Sequence, residues 1–74
     1  MRHWLVQFRK TKGLTQQQVA EITGISRSYY ADIEQGTKGA SGKAAKLIAN
    51  ALGFDMNLFF ADVGRKTSQK QEVI

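Results

Sequence analysis

A chain of 74 residues with no cysteine and one histidine, His3, has room for a single small domain. It has no means of building a disulfide, a thiolate metal site or a histidine cluster. The formal net charge of +5 favours a polyanionic partner. No apolar run approaches the length of a membrane span and the opening MRHW lacks the apolar core of a signal peptide, so a soluble protein of a reducing cytoplasm is expected.

Leu5 and Phe8 recur at helical spacing ahead of Gly13, which predicts a first helix from about His3 to Lys12. Thr15 followed by Gln18 is a capping box that starts a second helix, and Gly24 supplies the left-handed residue that ends it. Ser26 can cap a third helix. Only Gly24, Ile25 and Ser26 separate these two helices. That is too few residues to lay them antiparallel but enough to set a steep crossing angle, and Ala20 is the small side chain that lets them approach. The spacing is that of a helix-turn-helix, which presents its second helix to a DNA groove.

Ser41 caps a fourth helix whose apolar positions Ala44, Leu47, Ile48, Ala51 and Leu52 recur with helical period, and Gly53 ends it. Asp55 can cap a short fifth helix in which Met56, Phe59 and Phe60 share a face. Phe54, Met56 and Phe59 are needed to close the core, leaving Leu58, with Phe60 or Trp4, as surplus apolar surface. Residues 1–62 thus read as one domain and 63–74 as a polar, flexible tail. There is no repeat, no β-alternation and no proline.

On a wheel of about 100° per residue, Tyr30 and Ile33 of the third helix face the core. Arg27, Ser28, Ala31 and Asp32 occupy the opposite arc, with Tyr29 at its flank. Recognition helices reach bases through their first turn, where Arg27 sits; its guanidinium fork matches O6 and N7 of guanine. Ser28 can donate or accept, Ala31 can touch a thymine methyl, and Asp32 can accept from a cytosine amino group or orient Arg27 across one turn. Gln16 and Gln17 open the second helix, where free amides favour a phosphate. Ser26 and the Tyr29 hydroxyl are further phosphate candidates. Lys38 and Lys43, with the amides of residues 39–42, form a second clamp. Arg2, Arg9, Lys10 and Lys12 load the first helix and Lys38, Lys43 and Lys46 follow Gly36, so cations flank the reading helix on both sides.

Leu14, Thr15, Gln16, Ala20, Gly24, Ser26, Glu34 and Gly36 together resemble the Xre-type, phage-repressor-like helix-turn-helix family. The likeness extends back to Leu5, Phe8 and Arg9 and forward through Leu47 to Phe60, roughly residues 3 to 62. It implies an all-α, compact five-helix DNA-binding domain, a repressor-like regulator working as a homodimer on double-stranded DNA, and a prokaryotic, phage or mobile-element setting. It also implies that Gln16 contacts the DNA backbone while bracing the reading helix. Arg9 and Glu34 invite an acid/base reading, but the resemblance makes them a structural ion pair. Two departures stand out: Thr23 where the family has an apolar residue or alanine, which predicts looser packing of the second helix, and Ala40 where many members have proline, which predicts a less rigid loop.

The rival reading is an antitoxin or anti-repressor-like module that mainly holds a protein partner. Nothing implies a cofactor, a metal or a small-molecule ligand. An enzyme lacks a nucleophile beside a base, a metal set and a phosphate loop. The aromatic platforms of the usual RNA-binding modules are also missing.

Overall fold

The computed structural model describes residues 1–61, which form five helices and no strand. Helix α1 spans His3–Thr11, α2 Gln16–Thr23, α3 Arg27–Gln35 and α4 Gly42–Leu52. A fifth helix, α5, opens at 57 and its described part runs to 61. The expected tail, 63–74, lies outside the described residues.

Local chemistry sets the helix ends. The Thr15 hydroxyl accepts from the Gln18 amide at 3.1 Å while the Gln18 side chain accepts from the Thr15 amide at 2.8 Å, which completes the capping box. Ser26 and Ser41 accept from the amides of Tyr29 and Ala44. Asp55 Oδ1 accepts from the Asn57 amide at 2.9 Å at the entry to α5. Gly24 ends α2 and Gly36 ends α3 with φ of 77° and 86°, a region closed to most L-residues.

The core is built where these helices cross. Leu5, Val19, Ala20, Tyr30, Ile33, Ala45, Ile48, Leu52 and Phe59 form one buried cluster. Ala20, buried in α2, lies among them, and α2 packs on both α3 and α4. On α4 the buried stripe is rotated from the expected one: Ala44, Ala45, Ile48, Ala49 and Leu52 are buried, and Leu47 and Ala51 are only half-buried. The alanine methyls at 45 and 49 let the helix axis come close to its neighbours, and short side chains at a contact set short interaxial distances.

Trp4, counted above as possible surplus surface, belongs to the fold. Its ring meets those of Phe54 and Phe59 edge-on at centroid distances of 5.4 and 5.1 Å, and Phe8 joins through Phe54 at 4.9 Å. Phe60 does not share the face of Met56 and Phe59: Phe59 is buried, and Phe60 is 51% exposed. Successive residues on a helix point about 100° apart, so both cannot enter the same core.

Arg2 also departs from its expected place among outward-facing cations. Its Nη1 donates to the carbonyls of Ile33 at 2.6 Å and Lys38 at 3.2 Å, its backbone amide donates to Glu34 O at 2.7 Å, and its guanidinium lies 5.8 Å from the Phe59 ring centroid. It therefore places positive charge where the last carbonyls of α3 carry a negative one.

Candidate nucleic-acid interface

Glu34, in the last turn of α3, is 2% exposed and would be costly to bury alone. Arg9 Nε reaches its Oε2 at 2.6 Å and Nη2 its Oε1 at 3.3 Å, so the two residues expected to pair are brought together. The Tyr30 hydroxyl donates to Oε2 at 2.6 Å, and Gln16 Nε2 to Oε1 at 2.9 Å. Arg9 Nη1 closes the network on the Leu14 carbonyl at 2.9 Å. One carboxylate thus ties α1 and the start of α2 to α3.

Burial alone pushes the Glu34 carboxyl up, but the hydrogen bonds from Arg9, Tyr30 and Gln16 outweigh it and hold the group below the usual carboxylate range. Burial, and then donation to Glu34, push the Tyr30 phenol well above its ordinary value. The bond to Glu34 raises Arg9. The family resemblance implies Arg9, Glu34 and the bracing Gln16; the Tyr30 phenol is the member of this network that neither the resemblance nor helical periodicity discloses. Periodicity marks Tyr30 as core by its ring, but its hydroxyl needed a buried acceptor one turn along the helix.

Anchored in this way, α3 leaves Arg27 and Ser28 exposed at its first turn, and Ala31 and Asp32 partly exposed on the same arc. Asp32 does not reach for Arg27; its carboxylate lies 3.8 Å from Lys38 Nζ, both side chains being well exposed. Gln16 is half-buried and donates one amide proton to Glu34 at 2.9 Å; a side-chain amide carries a second. Gln17 is exposed and donates to Glu21 at 3.0 Å. The Ser26 hydroxyl is occupied as a cap.

Tyr29 differs most from its expected use. Its hydroxyl accepts from the Ser41 amide at 3.1 Å and lies 3.5 Å from the Gly39 carbonyl, to which it donates. The clamp expected from the amides of residues 39–42 therefore lacks the Ser41 donor. Lys43 is exposed in the first turn of α4 and lines, with Tyr29, Ser41 and Thr23, an open cavity of about 250 Å³ between α2, α3 and α4. Thr23, for which looser packing was expected, is buried, and its hydroxyl donates to the Val19 carbonyl at 2.7 Å. Its polarity is satisfied inside α2, as is usual for a buried hydroxyl.

Among the described residues no group of His, Cys, Asp and Glu could hold a metal ion, and no helix is long and apolar enough to cross a membrane. The helix-turn-helix family pattern matches residues 5–59, from the first core leucine of α1 to the buried phenylalanine of α5. The chain belongs to the helix-turn-helix family. It is 43% identical over 72 residues to YqaF, an uncharacterized HTH-type transcriptional regulator of Bacillus subtilis (strain 168), covering 97% of this chain and 95% of that protein. It is 42% identical over 64 residues to the immunity repressor protein of Bacillus phage phi105, covering 86% of this chain and 42% of the repressor. The chain thus spans less than half the length of the phage protein, but nearly all of the bacterial one. The matched stretch includes the candidate residues from Gln16 to Lys43.

Proposed function

We propose that this chain is a repressor-like transcriptional regulator that binds double-stranded DNA sequence-specifically, with α3 in the major groove. The observation that carries the reading is the first turn of α3: Arg27 and Ser28 stand exposed on a helix whose opposite face is locked to α1 and α2 through Glu34. A rigid helix with a free guanidinium fork at its N-terminal end has the geometry that reads guanine. Likeness to an HTH-type transcriptional regulator and an immunity repressor points the same way. Arg27, Ser28, Ala31 and Asp32 face the bases; Gln16, Gln17 and Ser26 lie toward one phosphate strand, and Lys38 and Lys43 toward the other.

Affinity from so small a module is limited, and a two-fold homodimer on paired half-sites supplies the rest. Leu58 and Phe60 on α5 are 37% and 51% exposed and are the surface we assign to the second copy. The setting we assign is the cytoplasm of a bacterium, beside chromosomal or phage DNA.

Selection from random duplex DNA should yield one preferred sequence. On that sequence Arg27→Ala should cost about 1 to 3 kcal/mol and relax the preference at one base position. Equal weakening of selected and scrambled DNA would show that Arg27 does not read a base.

A further inference from the structure

The loop between α3 and α4, residues 36–41, has little stiffness of its own. Gly36, Gly39 and, just beyond, Gly42 carry no side chain to restrict the backbone, and Ala40 leaves its φ free where a proline would fix it. The amides of Thr37 and Lys38 are gathered onto the Asp32 carbonyl at 3.1 and 3.3 Å, which fixes the exit from α3. The other end is held from a distance. Ser41, the N-cap of α4, directs its amide to the Tyr29 hydroxyl, twelve positions back, and that hydroxyl faces the Gly39 carbonyl. Donor and acceptor from the same loop thus converge on one phenol, whose ring is half-buried against the core. Lys43 follows two residues after Ser41 and lines the same cavity as Tyr29.

We propose that Tyr29 is a positioning residue. Its hydroxyl is the strut that sets the N-cap of α4, and with it Lys43, at a fixed offset from the base-reading turn of α3. The consequence is that phosphate holding and base reading are coupled through one hydroxyl, and that this hydroxyl itself contacts no phosphate. The inference rests on the DNA-binding reading above for its effect on affinity. Its structural half concerns the free protein alone.

Tyr29→Phe removes the hydroxyl and keeps the ring. In the free protein, amide hydrogen exchange at Ser41 should accelerate by about 2- to 12-fold, with the amides of Val19 and Ile48 in the core unchanged, as one lost hydrogen bond implies. On the selected DNA site, Tyr29→Phe should weaken binding by about 2- to 12-fold, the cost of re-ordering the loop on binding. The salt dependence should become shallower, without any change in base preference. Because Tyr29 acts through Lys43, the Tyr29→Phe/Lys43→Ala double variant should bind no worse than the weaker single one. Multiplying fold losses would mean that the hydroxyl touches phosphate on its own, and would overturn the proposal. Unchanged exchange at Ser41 would overturn it without reference to DNA. A wild-type chain that binds no duplex, yet shows faster Ser41 exchange in Tyr29→Phe, would remove the DNA-binding reading and leave the strut.

Discussion

Glu34 collects three side-chain donors, from Arg9, Tyr30 and Gln16, and its burial makes each of them matter. Removing Arg9 leaves a carboxylate inside the protein without its counter-charge, and broken buried pairs cost about 3 to 5 kcal/mol. Arg9→Met should therefore be markedly destabilised in a thermal melt, and Glu34→Leu should lose less when added to it than alone. Single variants as stable as the wild type would exclude a structural role for the pair. The network also sets a pH window. Glu34 is held below the usual carboxylate range, so its contribution is present above pH about 4 and is lost as pH falls through the lower folded-state value. Tyr30 is pushed above its ordinary value, so its contribution is complete below pH about 10 and is lost as pH rises toward the folded-state value. Urea midpoints should be flat between these limits and fall on both sides, and Tyr30→Phe should remove the alkaline limb. A wild-type midpoint unchanged down to pH 2 would contradict the assignment for Glu34. Residue types at these positions were readable from the chain: Arg9 and Glu34 from the family resemblance, Tyr30 as core from the helical wheel. Which atoms meet was not readable, because a periodicity fixes the direction of a side chain and says nothing of its polar end.

At the scale of the helices the chain carries nearly all its own instructions. Caps are local signals, needing only residues within one turn, and each of Thr15, Ser26 and Ser41 makes the bond that its type and position imply. Thr15→Ala removes the reciprocal box at the start of α2 and should cost about 1 kcal/mol. For a domain of this length that lowers the melting temperature by about 4 to 8 °C, measurable by circular dichroism. An unaltered melt would mean that α2 is held by its packing alone. The fourth helix shows where local signals end. Leu47 looks more apolar than Ala45 or Ala49, yet the alanines are buried and Leu47 is half-exposed. How closely two helices approach is decided by both partners, and one helix's sequence describes only one of them. The same holds for Trp4, whose place depends on a Phe54 and a Phe59 fifty or more positions away.

The described residues pack around one core that takes up most of their large apolar side chains, and the large exposed ones on α5 are Leu58 and Phe60. If a second copy covers them, Leu58→Glu should shift sedimentation toward the monomer and weaken binding to a paired site far more than to a half-site. Two reading helices in such a dimer would stand about 34 Å apart, one turn of DNA. A wild-type chain that sediments as a monomer at tens of micromolar, free and on DNA, would exclude the dimer. Charge acts at this scale too. With a formal charge of +5 and lysines before and after α3 in the chain, the DNA affinity proposed above should fall steeply with salt, and Lys43→Ala should reduce the slope by about one without altering base preference.

The seat of Arg2 bears on how the protein is handled. Its guanidinium bonds the Ile33 and Lys38 carbonyls, and a Cβ built on Gly36 would lie 3.7 Å from the Met1 backbone nitrogen. An affinity tag fused ahead of Met1 would thus emerge beside the end of α3, against the very loop that Tyr29 and Asp32 hold. Purification through such a tag would load that loop with unrelated chain. DNA preferences measured on tagged protein should be repeated after cleavage before any operator is assigned.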